Sequence, residues 1–255
     1  TTLGQPADAY GPALTLGSGA TRLIELAAAY TFLVNGGEKV SPWFFERYVP
    51  PSGAPVLFPP PPRHRVFSPE VSWLVMDMLS DPSARRAAFG EEIPFDMPFP
   101  VVAKTGTSGG FADNVALVTT REFTIAAWAG NFDGKPMHGV LAMVGAAPLA
   151  RRALMIAAGH RSWSLPQRPD GIVEHSVCVL SGEAPGPQCP VHKEFFIRGT
   201  EPHTPCTWHK QRGDRLAVDW PASAAPWATR LHKAGGQSRS HALSAGGPGE
   251  HGSQR

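Results

Sequence analysis

The residues best suited to chemistry form one short segment, Lys104-Thr105-Gly106-Thr107-Ser108. Lys104 can place a cation beside a nucleophile or a substrate carboxylate, and the hydroxyls of Thr105 and Thr107 can donate to an anionic group. Gly106 has no side chain, so a substrate backbone can approach closely. The backbone N–H of Thr107 can donate to an oxyanion, and losing one such donor typically slows acyl transfer about 10²–10³-fold. We therefore predict a catalytic Lys104 and substrate-binding Thr105, Gly106, Thr107 and Ser108, although Ser108 could instead only stabilise the following turn.

A β-sheet is expected to position this segment. The apolar run Val101–Ala103 leads into it, so the segment should lie on a strand edge that faces a cleft. Two further β-rich runs, residues 114–119 and 123–128, are separated by three polar residues, which predicts an antiparallel hairpin. Pro148 then begins a helix that extends to about Ala158. Residues 100–160 are thus predicted to form strand, strand, strand and helix.

Two helices are predicted before the sheet. Apolar residues recur at steps of three and four over residues 20–36, and Gly36-Gly37 is typical of a left-handed helix end. Ser68-Pro69-Glu70 combines a hydroxyl N-cap, a first-turn proline and an acid, which predicts a helix extending to about Leu79. The proline-rich residues 38–67 are expected to be irregular. The residues expected to be buried on the second helix are Val71, Leu74, Val75 and Met78.

Lys-Thr-Gly at 104–106 is one of three motifs of the penicillin-binding serine acyltransferases. The resemblance extends to other blocks in the family's order and covers roughly residues 10–230. Residues 17–37 resemble the transpeptidase helix after the second motif, and 111–115 with 128–134 resemble the two strands after Lys-Thr-Gly. Residues 177–190 and 206–209 resemble the tail of class A penicillin-binding proteins of the 1C type. The chain is therefore similar to the C-terminal part of the transpeptidase region in that family.

The resemblance implies an α/β fold of the penicillin-binding transpeptidase, or serine β-lactamase-like, type: an antiparallel sheet with flanking helices and a small cysteine-containing extension. It also implies a bifunctional parent that polymerises lipid II and cross-links stem peptides by D,D-transpeptidation. The implied partners are peptidoglycan stem peptides and β-lactams, on the periplasmic side of the bacterial inner membrane. No cofactor is implied.

One departure from the family limits these expectations. No serine in the sequence begins a Ser-x-x-Lys or a Ser-x-Asn motif, so the family's nucleophile is absent from these residues. The chain is expected to be a fragment that is inactive by itself. The alternative is a non-catalytic cell-wall binding or assembly module.

Three cysteines, Cys178, Cys189 and Cys206, lie close together in the sequence. An odd number cannot pair completely, and a disulfide between two of them is favoured in an oxidising compartment. Two Cys-x-x-His pairs, Cys189 with His192 and Cys206 with His209, could instead bind zinc. Unlinked thiols are the third possibility. Because we favour the disulfide, no metal site is predicted.

Composition limits the classes of protein to which the chain can belong. Of the 255 residues, 42% are hydrophobic, which suits a globular core, and the net charge of +2 gives no reason to expect nucleic acid binding. No apolar run is long enough to predict a membrane span, and residues 1–4 do not resemble a signal peptide. We expect the C-terminal portion of a transpeptidase domain at 1–165, a cysteine-containing extension at 166–232 and a disordered tail at 233–255.

Overall fold

The computed structural model describes residues 6–235 except residues 92, 160 and 162. The chain divides into two compact units, the first within Thr1–Val173 and Phe195–Thr200, the second within Glu174–Glu194 and Glu201–Arg255. The α-helices of the described residues are α1 (Ala7–Tyr10), α2 (Leu23–Val34), α3 (Pro69–Ser80), α4 (Pro82–Phe89), α5 (Ala146–Ala158) and α6 (Ala225–Gly235). None of them combines the length and apolar character that a membrane span needs.

Strands occur in both units and pair antiparallel wherever a register is defined. The strands are β1 (Glu38–Lys39), β2 (Arg47–Tyr48), β3 (Val56–Leu57), β4 (His64–Arg65), β5 (Val102–Thr107), β6 (Asp113–Thr119), β7 (Thr124–Gly130), β8 (Ile172–Cys178), β9 (Val191–Ile197), β10 (His209–Arg212) and β11 (Arg215–Val218). Residues 38–67, expected to be irregular, form the short pairs β1–β4 and β2–β3. The predicted tail begins inside α6, and its residues 236–255 lie outside the described residues, so that expectation stays a prediction.

The first unit is built on a three-stranded sheet in the order β5-β6-β7. Its strands confirm the predicted strand, strand, strand and helix sequence, and the bounds of β6, β7 and α5 lie within two residues of the prediction. The first strand is longer than predicted, since β5 continues past Ala103 to Thr107. Lys104 lies opposite Leu117, and Thr107 lies opposite Asn114. Since side chains along a strand alternate between the two faces of a sheet, Thr105 and Thr107 share the face of Ala103, and Lys104 shares that of Val102.

Helices cover both faces of this sheet. On one face, small side chains allow α5 to approach the strands closely, and Leu154 is fully buried among them. Burying one such leucine contributes roughly 1.5–3 kcal/mol. On the other face, Val102 packs with Val34 of α2 and Met76 of α3. The expected α/β fold with an antiparallel sheet and flanking helices is therefore confirmed.

The predicted start and end signals of the helices are also confirmed. The Ser68 hydroxyl accepts from the backbone N–H of Val71 at 3.2 Å. Gly36 and Gly37 follow α2 with φ angles of 62° and 86°, in the left-handed region that favours glycine. The sequence therefore specifies where α2 ends and where α3 begins.

The predicted buried face of α3 is wrong. Of the four residues expected to be buried, Val71, Val75 and Met78 are exposed and Leu74 is half-buried. The buried residues are Ser72 and Met76 instead. Two overlapping apolar stripes run along this helix, and α3 buries the stripe that faces α2 and β5. Periodicity could not choose between the stripes, because the choice depends on where α2 and β5 lie.

Candidate substrate-binding strand

The Lys-Thr-Gly segment occupies an edge strand. In the described part of the chain, β5 pairs with β6 on one side and with no strand on the other. The backbone N–H of Ser108 donates to the carbonyl of Asp113 at 2.9 Å and is therefore directed towards β6. Because backbone groups of successive residues point to alternate sides of a strand, the N–H of Thr107 is directed towards the open edge. An open edge with free backbone groups can take up an extended peptide.

Lys104 supplies a cation beside this edge. Its side chain is exposed, and its Nζ donates to the carbonyl oxygen of Thr105 at 2.6 Å. The backbone groups of Thr105 face the open side of β5, because Thr105 lies two residues from Thr107 and backbone groups alternate in direction along a strand. The ammonium group is thus held at the open side of β5.

Two threonines of the segment line a cleft. Thr105 and Thr107 form part of a cavity of about 450 Å³. The remaining wall comes from the end of α4, from Pro94 and from residues 141–144, and it is apolar. The cleft therefore combines hydroxyl groups with apolar surface on the same side of β5.

Gly106 provides space rather than an unusual backbone conformation. Its φ angle lies outside the left-handed region, and apart from its chain neighbours no heavy atom of the described residues lies within 4 Å of the position that a Cβ would occupy. The strand is therefore sterically open at this residue.

Ser108 has a structural role in the turn after β5. Its hydroxyl accepts from the backbone N–H of Asp113 at 2.8 Å, and its own N–H donates to the Asp113 carbonyl. The Asp113 carboxylate accepts from the indole N–H of Trp128 at 2.9 Å. These bonds correspond to the turn-stabilising alternative for Ser108, and they tie the turn to β7.

Sequence reasoning missed the residues that hold the cleft wall against the strands. The Thr107 hydroxyl accepts from the backbone N–H of Ala142 at 3.0 Å. Asn114 lies opposite Thr107 on β6 and is fully buried. It donates through Nδ2 to the carbonyl of Val140 at 3.0 Å. The only sequence signal was the polar Asn114 at the start of an apolar strand, and this signal does not identify its hydrogen-bond partner.

Arg85 was also missed, and it anchors the other end of β5. Its guanidinium donates to the carbonyls of Val101 at 3.2 Å, Leu79 at 3.3 Å and Ser80 at 3.1 Å. These contacts join the end of α3 to the residue that precedes the strand. No sequence pattern predicted them, because Arg85 and Val101 are distant in the chain.

A second cluster of chemically reactive side chains lies in the second unit. The ligand atoms of Cys178, Cys189, Cys206 and His209 all lie within 4.8 Å of one another. All three thiols are free, so the favoured disulfide is not formed. The zinc-ligand alternative also needs correction, because His192 pairs with Glu194 at 3.1 Å and Cys178 takes its place in the cluster.

Two thiols of this cluster have shifted acidities. Burial raises the pKa of Cys206, but hydrogen bonds from Ser181, His209 and Trp208 outweigh it and lower the pKa to about 5. Burial, together with the neighbouring Cys206 and Cys178, raises the pKa of Cys189 to about 11. The thiols therefore differ in acidity because their polar neighbours differ.

Comparisons with known proteins agree with this geometry. A family model described as the penicillin binding protein transpeptidase domain matches residues 9–153, and one described as the penicillin-binding protein 1A C-terminal domain matches residues 168–211. The crystal structure of penicillin-binding protein 1A from Haemophilus influenzae has a TM-score of 0.66 at 21% identity, covering 80% of this chain and 36% of that chain. At this identity the likeness concerns the fold.

Curated relatives carry related names. Penicillin-binding protein 1A of Clostridium perfringens is 28% identical over 196 residues, covering 72% of this chain and 23% of the relative. Penicillin-binding protein 1C of Escherichia coli K12 is 25% identical over 250 residues, covering 84% of this chain and 30% of the relative. The chain thus spans a quarter to a third of their length. The transpeptidase model covers more than half of the chain, so the chain belongs to the penicillin-binding protein transpeptidase family.

Proposed function

We propose that this chain supplies the substrate-binding strand of the D,D-transpeptidase domain in a peptidoglycan synthase. In this proposal, residues 1–165 form the C-terminal portion of that domain and 166–232 a cysteine-containing extension. The whole protein would also polymerise lipid II with a glycosyltransferase domain, and it would act on the periplasmic side of the bacterial inner membrane. Family membership and the open edge of β5 support the proposal.

The single observation that carries it is the Lys-Thr-Gly segment on an unpaired edge beside a cleft. The end of a stem peptide is extended and carries a terminal carboxylate. Such a peptide can add to β5 as a further strand, with its carboxylate beside the ammonium of Lys104 and the hydroxyl of Thr105. A β-lactam would bind in the same place as a mimic of the peptide.

Each residue of the segment has a role in this arrangement. The Thr107 N–H on the open side would donate to the oxyanion that forms at the scissile carbonyl. Gly106 leaves room for the substrate backbone, and Ser108 holds the turn through Asp113. The serine that attacks the carbonyl belongs to a motif not found in this sequence, so these residues bind and polarise the substrate.

The test is acylation by a fluorescent penicillin. We would compare the 255-residue chain with the full-length protein encoded by the reading frame that contains it. We expect the full-length protein to be labelled and the chain by itself to remain unlabelled. In the full-length protein, Lys104→Ala should slow labelling roughly 10–150-fold, because a hydrogen bond to a charged group contributes about 1.5–3 kcal/mol.

Lys135→Ala is the matched control, since Lys135 is an exposed lysine paired with Asp133 at 2.7 Å and lies outside the cleft lining. Unfolding in urea would verify that both variants fold. Labelling of Lys104→Ala at the wild-type rate would remove Lys104 from the site. A labelled 255-residue chain would place a nucleophile within these residues. A full-length protein that is never labelled would favour the non-catalytic binding or assembly module.

A further inference from the structure

The cysteine cluster is assembled from three stretches of chain that backbone hydrogen bonds hold together. The N–H of Cys178 donates to the carbonyl of Glu183 at 2.8 Å, which closes the turn after β8. The N–H of Cys206 donates to the carbonyl of Ala184 at 2.8 Å, and the Ala184 N–H donates to Thr204 at 3.0 Å. The sulfurs therefore meet through the fold of the second unit rather than through sequence spacing.

The separations match those within a tetrahedral metal site. His209 Nδ1 lies 3.4 Å from Cys178 Sγ and 3.6 Å from Cys206 Sγ. Zn–S bonds of about 2.3 Å and Zn–N bonds of about 2.0–2.1 Å place a sulfur about 3.6 Å from the nitrogen in a tetrahedron. The same geometry separates two sulfurs by about 3.8 Å, and the four ligand atoms here lie within 4.8 Å. A small contraction would complete the site.

Burial and neighbouring donors also suit a metal site. Cys178 is 1% exposed and His209 is 7% exposed, and the imidazole nitrogen faces two sulfurs in this buried position. The backbone N–H of Gly186 donates to Cys189 Sγ at 3.2 Å. An N–H group aimed at a sulfur stabilises its thiolate form and orients it, as the outer shell of a metal site does.

We propose that Cys178, Cys189, Cys206 and His209 bind one Zn²⁺ ion as a structural site of the second unit. Three thiolates and one imidazole form a soft donor set that favours zinc over magnesium or calcium. Four protein ligands fill the tetrahedral shell and leave no position for a substrate or water, so the ion has a structural role. Each thiol that is protonated beforehand releases its proton when it binds the metal.

A structural ion would stabilise a unit with little core of its own. The described residues of the second unit form short strands, loops and α6, and its aromatic contacts include Trp208 with Trp220 at 6.0 Å and Trp220 with Trp227 at 5.5 Å. Trp208 directly precedes the ligand His209, so the ion and the aromatic residues would stabilise the same segment. Small units of this kind commonly depend on a disulfide or a metal.

The test begins with the metal content of the full 255-residue chain, purified under reducing conditions. We expect about one zinc per chain by elemental analysis. The thiols should react slowly with a disulfide reagent until a chelator removes the metal, after which all three should react. His209→Ala should lose most of the zinc, whereas His192→Ala, which changes an exposed histidine outside the cluster, should retain it.

A second measurement avoids variants that fail to fold. Adding Co²⁺ to the metal-free wild-type chain should produce the intense visible bands of tetrahedral cobalt and a thiolate-to-cobalt charge-transfer band. A zinc-free chain with a mass two hydrogens lower would show a disulfide and overturn the proposal. Retention of zinc by His209→Ala, or octahedral cobalt bands, would overturn it as well. None of these measurements depends on penicillin binding, so the result is independent of the proposed transpeptidase function.

Discussion

Gly37 is the residue at which a single added methyl group should disturb the first unit most clearly. A Cβ at this position would lie 2.1 Å from the carbonyl oxygen of Phe67 and 2.9 Å from the hydroxyl of Ser72. The Phe67 oxygen belongs to the backbone, so no side-chain rotation can relieve the overlap. Gly37→Ala must therefore move the segment before α3 away from the end of α2.

The loss of stability in Gly37→Ala follows from the hydrogen bonds that this movement breaks. The Gly37 carbonyl accepts from the N–H groups of Val66 at 2.8 Å and Phe67 at 3.2 Å. Losing two such hydrogen bonds costs about 1–3 kcal/mol in total. The left-handed φ of 86° adds about 1–2 kcal/mol for a residue with a Cβ. We expect Gly37→Ala to lower the free energy of unfolding by about 2–5 kcal/mol.

Gly36→Ala is the matched control. Gly36 has a similar left-handed φ of 62°, but apart from its chain neighbours no atom in the described part of the chain lies within 4 Å of the position its Cβ would occupy. Its substitution should cost only the conformational penalty of about 1–2 kcal/mol. Urea denaturation followed by far-ultraviolet circular dichroism would measure both variants. Equal losses at the two glycines would refute the packing argument, because only the backbone conformation would then matter.

Two further substitutions in the first unit test how the cleft and the core are held. Thr107→Val should lower the free energy of unfolding by about 1–2 kcal/mol, because the N–H of the buried Ala142 loses its acceptor, while Thr107→Ser keeps the hydroxyl and should stay near wild type. An unchanged urea midpoint for Thr107→Val would contradict this. Leu154→Ala should cost about 3–5 kcal/mol in the same assay, because Leu154 is fully buried, whereas Leu149→Ala on the exposed side of α5 should cost less than about 1 kcal/mol. Similar losses for the two leucines would contradict the observed burial.

Local signals explain how much of the fold could be predicted. The strands β6 and β7 were found because β-rich apolar runs flank a short polar turn. The start of α3 was found because Ser68-Pro69-Glu70 combines a hydroxyl N-cap with a first-turn proline. Both signals act within a few residues, so they can be read without knowing what lies nearby in space.

The candidate site was predictable in part for the same reason. Lys104 and Gly106 stand out by residue type and by their position after an apolar run. The hydrogen bond between Asn114 and the Val140 carbonyl joins residues far apart in the chain, and no local pattern encodes it. Cys178 was not assigned to a metal set, because it lacks the short Cys-x-x-His spacing of Cys206 and His209.

The sequence by itself determined the family motif, the order of α2, α3, β5, β6, β7 and α5, and the presence of thiols and histidines of the types that serve as metal ligands. These depend on residue type and on short-range periodicity. Only the tertiary structure decided that β5 has an open edge, that α3 buries Ser72 and Met76, and that Cys178 rather than His192 joins the cluster. Each of these depends on contacts between distant segments, which form only when the chain packs and its buried polar groups must find partners.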